Sequence, residues 1–352
     1  MASDQSTLFT RELGPLCQGC RFFTPCGAAR SEVACLEHWG TDVEGGQEIL
    51  LPGFETTNQM IESVGGAQFD VLASPTSFIP LPSFLPLIRP ITALSGRLKE
   101  PIYGVSAETV IGARKTPLAA DQIRDKLQLS ESQQLVLLLF GKDKYIERVW
   151  NEAADLFPHL AKSGYDLVIP PSFSNYLDRP RPEFLYAAKR ALVIFQALQE
   201  LGLSVIPRIA WNIEYDAFRF ADWANQQQAV QTVALDWTGS KQKDLWDRET
   251  ECLSTFDLAT GRRLRYLING PSTLSRLQTL FQIVDPKRLT LTGSVLAKPP
   301  DKQQSALTSG LPKKAAIFFS ECKKRRALIA RASQSVPASL TAPESTEQAE
   351  AA

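Results

Sequence analysis

The feature that most limits the fold is an alternation of short apolar runs with helical patterns, repeated eight times between Phe69 and Leu291. The strand-like runs are Phe69–Ala73, Ile102–Val105, Leu135–Phe140, Leu167–Ile169, Leu203–Ile206, Thr232–Leu235, Tyr266–Ile268 and Leu289–Leu291. Between them lie helical patterns at Leu85–Leu98, Ala120–Leu127, Lys144–Lys162, Arg181–Leu201, Ala217–Gln227, Asp244–Leu258 and Thr273–Val284. Parallel strands need a crossover of a dozen or more residues, and these spacings supply one each time. Eight such units predict an α/β fold, a (β/α)8 TIM-like barrel. An open doubly wound sheet shares the alternation, but no GxGxxG turn follows any of the runs.

The clearest unit runs from Asp166 to Asn212. Strand Leu167–Ile169 leads into a polar loop, Pro180 and Pro182 open a helix, and Gly202 is placed as its stop before Leu203–Ile206. The helix carries Phe184, Leu185, Ala188, Ala191, Leu192, Phe195, Leu198 and Leu201 at helical spacing. Tyr165–Tyr176, Asp178, Pro180, Gln199, Gly202, Val205–Pro207 and Trp211 resemble the core of an uncharacterised family of bacteria and their phages. That family is domain of unknown function four-four-one-seven, and the likeness runs over residues 144–220. Its members tend to carry an acidic residue where this chain has Ser172. The resemblance implies the fold and no activity.

Before the periodic region, residues 1–47 hold Cys17, Cys20, Cys26 and Cys35 among Gly, Pro and polar residues. A segment this poor in apolar residues needs a staple, and four clustered thiolates provide one. They are expected to share one metal site, either a [4Fe-4S] cluster or zinc, with free thiols or a disulfide as the alternative. Zinc usually asks for two CxxC pairs where this chain has one, and an iron–sulfur cluster tolerates irregular spacing. The Cys-x2-Cys-x5-Cys opening is similar to that of auxiliary cluster domains in some radical enzymes. His38 is read as a surface residue. Glu48–Leu51 is a candidate strand capping the barrel bottom, residues 48–332 form the barrel, and residues 333–352, with no core formers, read as a disordered tail.

With 38 basic and 38 acidic residues, the chain has no global field to draw it to nucleic acid or a membrane. No apolar run nears the roughly 20 residues of a membrane span, and the N-terminus lacks signal-peptide features. A cytoplasmic protein is expected. Lys323–Arg326 sits on a final helix, Lys313–Arg331, and reads as a solvated face with phosphate contact as the alternative.

In a barrel, chemistry belongs at the C-terminal strand ends. Here these ends are polar: Ser74–Ser77, Ser106, Gly141–Asp143, Ser172 with Tyr176, Arg208 with Trp211 and Asn212, Asp236 with Trp237, Asn269–Ser272, and Thr292–Ser294. Asp236 and Arg208 are the catalytic candidates, a carboxylate for proton transfer and a cation whose burial implies an anionic partner. Ser172, Tyr176, Trp211, Asn212, Asn269, Gly270, Ser272, Thr292 and Gly293 are expected to bind substrate. The two glycines would let backbone N–H groups face a phosphate, with turn and cap chemistry as the plainer alternative. Trp211, Trp237 and Tyr176 stack on a planar ligand or plug the barrel top. The leading reading is an enzyme for a small anionic, phosphorylated or nucleotide-like substrate. The alternative is a non-catalytic protein that binds a protein or nucleic-acid partner in a mobile-element or defence setting.

Overall fold

The computed structural model describes residues 41–44, 47–50, 54–75, 79–88, 98–112, 116–175, 181–294 and 311–334. The cysteines Cys17, Cys20, Cys26 and Cys35, His38, Tyr176 and the expected tail beyond Gln334 lie outside them.

The core of the molecule is a sheet of seven parallel strands: β3 (Phe84–Ile88), β4 (Ile102–Ser106), β5 (Gln134–Leu138), β6 (Leu167–Ile169), β7 (Thr232–Asp236), β8 (Arg265–Asn269) and β9 (Leu289–Ser294). β3 lies at the middle of the sheet between β4 and β9, and β6 and β7 are its edges. The remaining gap, between β6 and β7, is filled by residues 203–209. There Val168 bridges Val205 and Ala234 bridges Arg208, each in parallel. Four backbone hydrogen bonds hold that stave: Val168 N–H to Ser204 O (2.9 Å), Ile206 N–H to Val168 O (3.2 Å), Ile209 N–H to Ala234 O (3.0 Å) and Ala234 N–H to Pro207 O (2.9 Å). Pro207 lacks an N–H, which keeps this stave to single bridges. The result is an eight-stave TIM-like barrel.

Two further strands, β1 (Thr41–Glu44) and β2 (Gln47–Leu50), pair with each other in an antiparallel hairpin. Helices follow the staves in the expected places: α2 (Ala107–Val110) and α3 (Ala120–Leu127), α4 (Asp143–Asn151) and α5 (Ala153–Ala161), α6 (Arg181–Glu200), α7 (Glu214–Gln226), α8 (Lys243–Ala259), α9 (Leu274–Ile283) and α10 (Leu311–Ser333). The end of α6 is a Schellman motif. Gly202, at φ +81°, donates to Gln199 O, and Leu203 N–H reaches back to Leu198 O. Leu201 sits outside the helix and is exposed.

One strand expectation is corrected. Phe69–Ala73 is not a stave; the first stave is Phe84–Ile88, inside a stretch whose spacing predicts a helix. Residues 67–74 instead follow α1 (Phe54–Ser63) as a strap over α6 and α7, and side chains satisfy its backbone. Ala67 O accepts from Arg219, Gln68 O from Lys189 and Val71 O from Trp223 Nε1 (2.8 Å). The N–H groups of Ala73 and Ser74 go to Gln227 and Gln199. The apolar alternation of Phe69, Val71 and Ala73 is real, but it packs against helices. Ser74 is therefore not at the barrel mouth.

The core has two parts. Between staves and helices lies the larger, and inside the barrel a smaller one is built from Leu85, Leu87, Ile102, Val136, Leu138, Phe140, Leu167, Ile169, Ala234 and Leu267, with Ile79, Leu81 and Ile206 packed against it. Gly104 faces this interior, where an added Cβ would lie 2.9 Å from Leu138 Cδ1.

Candidate active site at the barrel mouth

Strand alternation puts every second residue inside the barrel. Ile206, Ala234 and Leu267 belong to the inner core, so Arg208, Asp236 and Asn269, two residues later, face the same interior one layer nearer the C-terminal ends. Thr292 joins that layer, being the register partner of Asn269, as Asn269 is of Asp236. Three neighbouring staves thus change from apolar to polar at one level, and the fourth, carrying Thr290 and Thr292, is polar at both.

A cavity of about 670 Å³ opens over part of this layer. Ser172, Arg208, Trp211, Asn212 and Asp236 line it, as the sequence led us to expect; Trp237 does too. Trp211 and Trp237 are buried in the wall and leave the space open. Asn269, Gly270, Ser272, Thr292 and Gly293 are not among its lining residues.

Arg208 is only 4% exposed. Its Nη2 donates to Ser172 Oγ at 3.2 Å, and its Nε and Nη1 have no hydrogen-bond partner. Burial lowers its pKa to about 10, while Asp236 and Glu249 act to raise it, so it stays charged at neutral pH. Asp236 is fixed through Oδ1, which accepts from Asn269 Nδ2 (2.9 Å) and from the hydroxyl (2.9 Å) and N–H (3.3 Å) of Thr238. Lys142, past the end of the β5 stave, pairs with Glu108. Asn212 is held by its backbone: Asp216, buried and bonded by Arg181, accepts the N–H groups of Asn212 (3.0 Å) and Ile213 (3.2 Å) at the start of α7.

Sequence reasoning missed the α8 wall. Gln242, Leu245, Arg248 and Glu249 fall at helical spacing and turn one face of α8 to the cavity. Glu249 Oε2 accepts from Trp211 Nε1 at 2.6 Å and Oε1 from Ser240 Oγ at 3.2 Å. Burial pushes its pKa up to about 7, against the pull of those hydrogen bonds and of Arg208 and Arg248. Arg248 Nη1 is buried without a partner. The only signal in the sequence is the i, i+3, i+7 placement of Gln242, Leu245 and Glu249, which is also that of any half-buried helix.

The turns after β8 and β9, where an anion cradle is expected, lie outside the cavity lining. Gly270 N–H donates to Thr292 O at 3.3 Å. A Cβ on Gly270, whose φ is +127°, would lie 2.7 Å from the carbonyl carbon of Trp237. This glycine lets two loops touch. Ser272 is exposed, its carbonyl accepts from Arg325 (2.9 Å), and Thr273 occupies the N-cap of α9. Around Gly293 a Cβ would meet nothing within 4 Å. Asn269 Oδ1 and Thr292 Oγ1 are buried and unpartnered.

Residues 112–250 match the domain of unknown function DUF4417. The DUF4417 match covers under half of the chain, but it contains the cavity residues from Gly141 to Glu249 and excludes the turns after β8 and β9. It also extends beyond the 144–220 stretch read from the sequence. The chain matches no curated protein. Among solved structures it is similar to one described as native KDPGal (10% identity, TM-score 0.36, covering 72% of this chain and 100% of that one). A 4-hydroxy-2-oxoglutarate aldolase/2-deydro-3-deoxyphosphogluconate aldolase (11%, 0.32, 70% and 94%) and a mandelate oxidase variant (11%, 0.36, 79% and 90%) are similar as well. Likenesses this distant carry no argument about chemistry. No described helix is long and apolar enough to cross a membrane.

Proposed function

We propose that this chain is a barrel enzyme whose mouth cavity takes a small anionic substrate, with Arg208 as the anion's partner. One observation carries the reading: a charged guanidinium, almost wholly buried at the cavity wall, leaves two nitrogens without partners. An unpaired buried cation is costly, and a carboxylate or phosphate that accepts from one of the free nitrogens would reduce that cost. Screening is weak there, so the contact would be strong. Phosphorylated and nucleotide-like compounds fit the charge and the volume. Asp236 and Glu249 lie near enough to Arg208 to act on it electrostatically, and either carboxylate offers acid–base chemistry beside the bound anion.

The nucleic-acid reading has less support. In the Lys323–Arg326 run, Arg325 bonds Ser272 O and Arg326 bonds Glu100, so half of the run ties α10 to the barrel.

Titrating phosphorylated metabolites and nucleotides against the parent, Arg208→Lys and Arg208→Ala tests the reading. Binding should weaken in the order parent, lysine, alanine, because lysine keeps the charge and loses the fork. If the parent binds none below about millimolar, or all three bind alike, the assignment fails.

A further inference from the structure

We propose that an anion binding at Arg208 drives a proton onto Glu249, so that the loaded cavity presents a neutral carboxylic acid to its ligand. This rests on the reading that Arg208 holds the anion, and adds the proton that accompanies it.

The geometry is that of a carboxylate poised between two states. Both oxygens of Glu249 accept hydrogen bonds, from Trp211 and Ser240, which favours the ionised form. Arg208 and Arg248 favour it too, although neither forms an ion pair with it, and each keeps an orphaned nitrogen. Burial opposes all four and holds the empty site near its midpoint at neutral pH. The other charged or titratable groups close by are Cys252 on the same helix, itself pushed up by burial, and Asp236, which acts on Arg208.

An anion seated on Arg208 cancels the positive charge that Glu249 feels and adds a negative one. The balance then tips toward burial, and Glu249 takes one proton from solvent. By reciprocity, protonated Glu249 must bind the anion more tightly. Donating that proton to the bound ligand would restore the carboxylate that Trp211 and Ser240 already accommodate.

Sulfate is the probe, because it does not titrate near neutral pH. Calorimetric titration of the full chain in two buffers of different ionisation enthalpy gives the protons taken up. We expect up to one proton per sulfate, and an affinity that falls as pH rises above about 7, by at most about tenfold per unit. Glu249→Gln should bind sulfate with no uptake and no such pH dependence. In the parent, sulfate should also raise a carboxylic C=O band in the infrared difference spectrum, a readout that does not need the variant to fold. Sulfate binding with constant affinity, no uptake and no band overturns the role of Glu249 and leaves the anion site standing, and so does uptake that persists in Glu249→Gln. No sulfate binding at any pH overturns the anion site and the coupling together.

Discussion

Gly270 and Gly293 close two neighbouring staves, yet only one of them needs to be glycine. At Gly270 any side chain would meet the Trp237–Thr238 backbone at 2.7–2.9 Å with φ at +127°. Gly270→Ala should lower stability by at least about 2 kcal/mol, whereas Gly293→Ala, with open space, should stay within about 0.5 kcal/mol. Thermal melts of both variants decide this, and equal midpoints would contradict the loop contact. Glu249 makes a pH prediction. Its folded pKa, about 7, lies above the ordinary 4.5, so the fold holds its proton more tightly than the unfolded chain does. That contribution is whole below the unfolded value and lost as pH rises through about 7. Stability should therefore fall across that window in the parent, and fall less in Glu249→Gln. Arg208, Asp236 and Trp211 were legible because strand ends face the mouth by rule. Glu249 was not, because nothing local distinguishes a cavity-facing turn of α8 from one against the core.

The elements show what alternation can and cannot say. Ile102–Val105, Leu135–Phe140 and Thr232–Leu235 read as staves because each is a continuous apolar run, as a strand buried on both faces must be. Phe84–Ile88 has the same character, but its residues also fit the start of the helical spacing over Leu85–Leu98. Phe69–Ala73 alternates well and is a strap, its hydrogen bonds taken by Trp223 and Gln227, which no local pattern announces. Outside the barrel wall, Asp257 on α8 receives both Nη1 and Nη2 of Arg288 and the hydroxyl of Tyr266 on β8. Asp257→Asn should cost about 3 kcal/mol in denaturant unfolding, since it strands a half-buried guanidinium and a buried phenol. A loss under about 1 kcal/mol would show that solvent replaces the pair. For the N-terminal segment, our proposal is that Cys17, Cys20, Cys26 and Cys35 share one metal site. Cys20→Ser should then strip the metal while the barrel stays folded, and metal analysis checks it; full metal content in that variant contradicts the shared site.

Taken whole, the molecule has no net charge, so whatever draws an anion to it is local. That local source is one part of the barrel mouth, where Arg208 and Asp236 replace the apolar Ile206 and Ala234 below them, beside the cavity-facing side of α8. Phe173, Ile209, Ala210, Leu235 and Leu245 add apolar surface to the same cavity. A ligand seated there would meet both charge and hydrocarbon, as small-molecule sites commonly arrange it. Crystals soaked in selenate locate such a charge by anomalous scattering. The structure predicts a selenium peak in the cavity about 4 Å from Nε or Nη1 of Arg208, with a selenate oxygen between them, absent in Arg208→Ala. A selenate found only elsewhere, or a cavity that stays without one at saturating concentration, would contradict it.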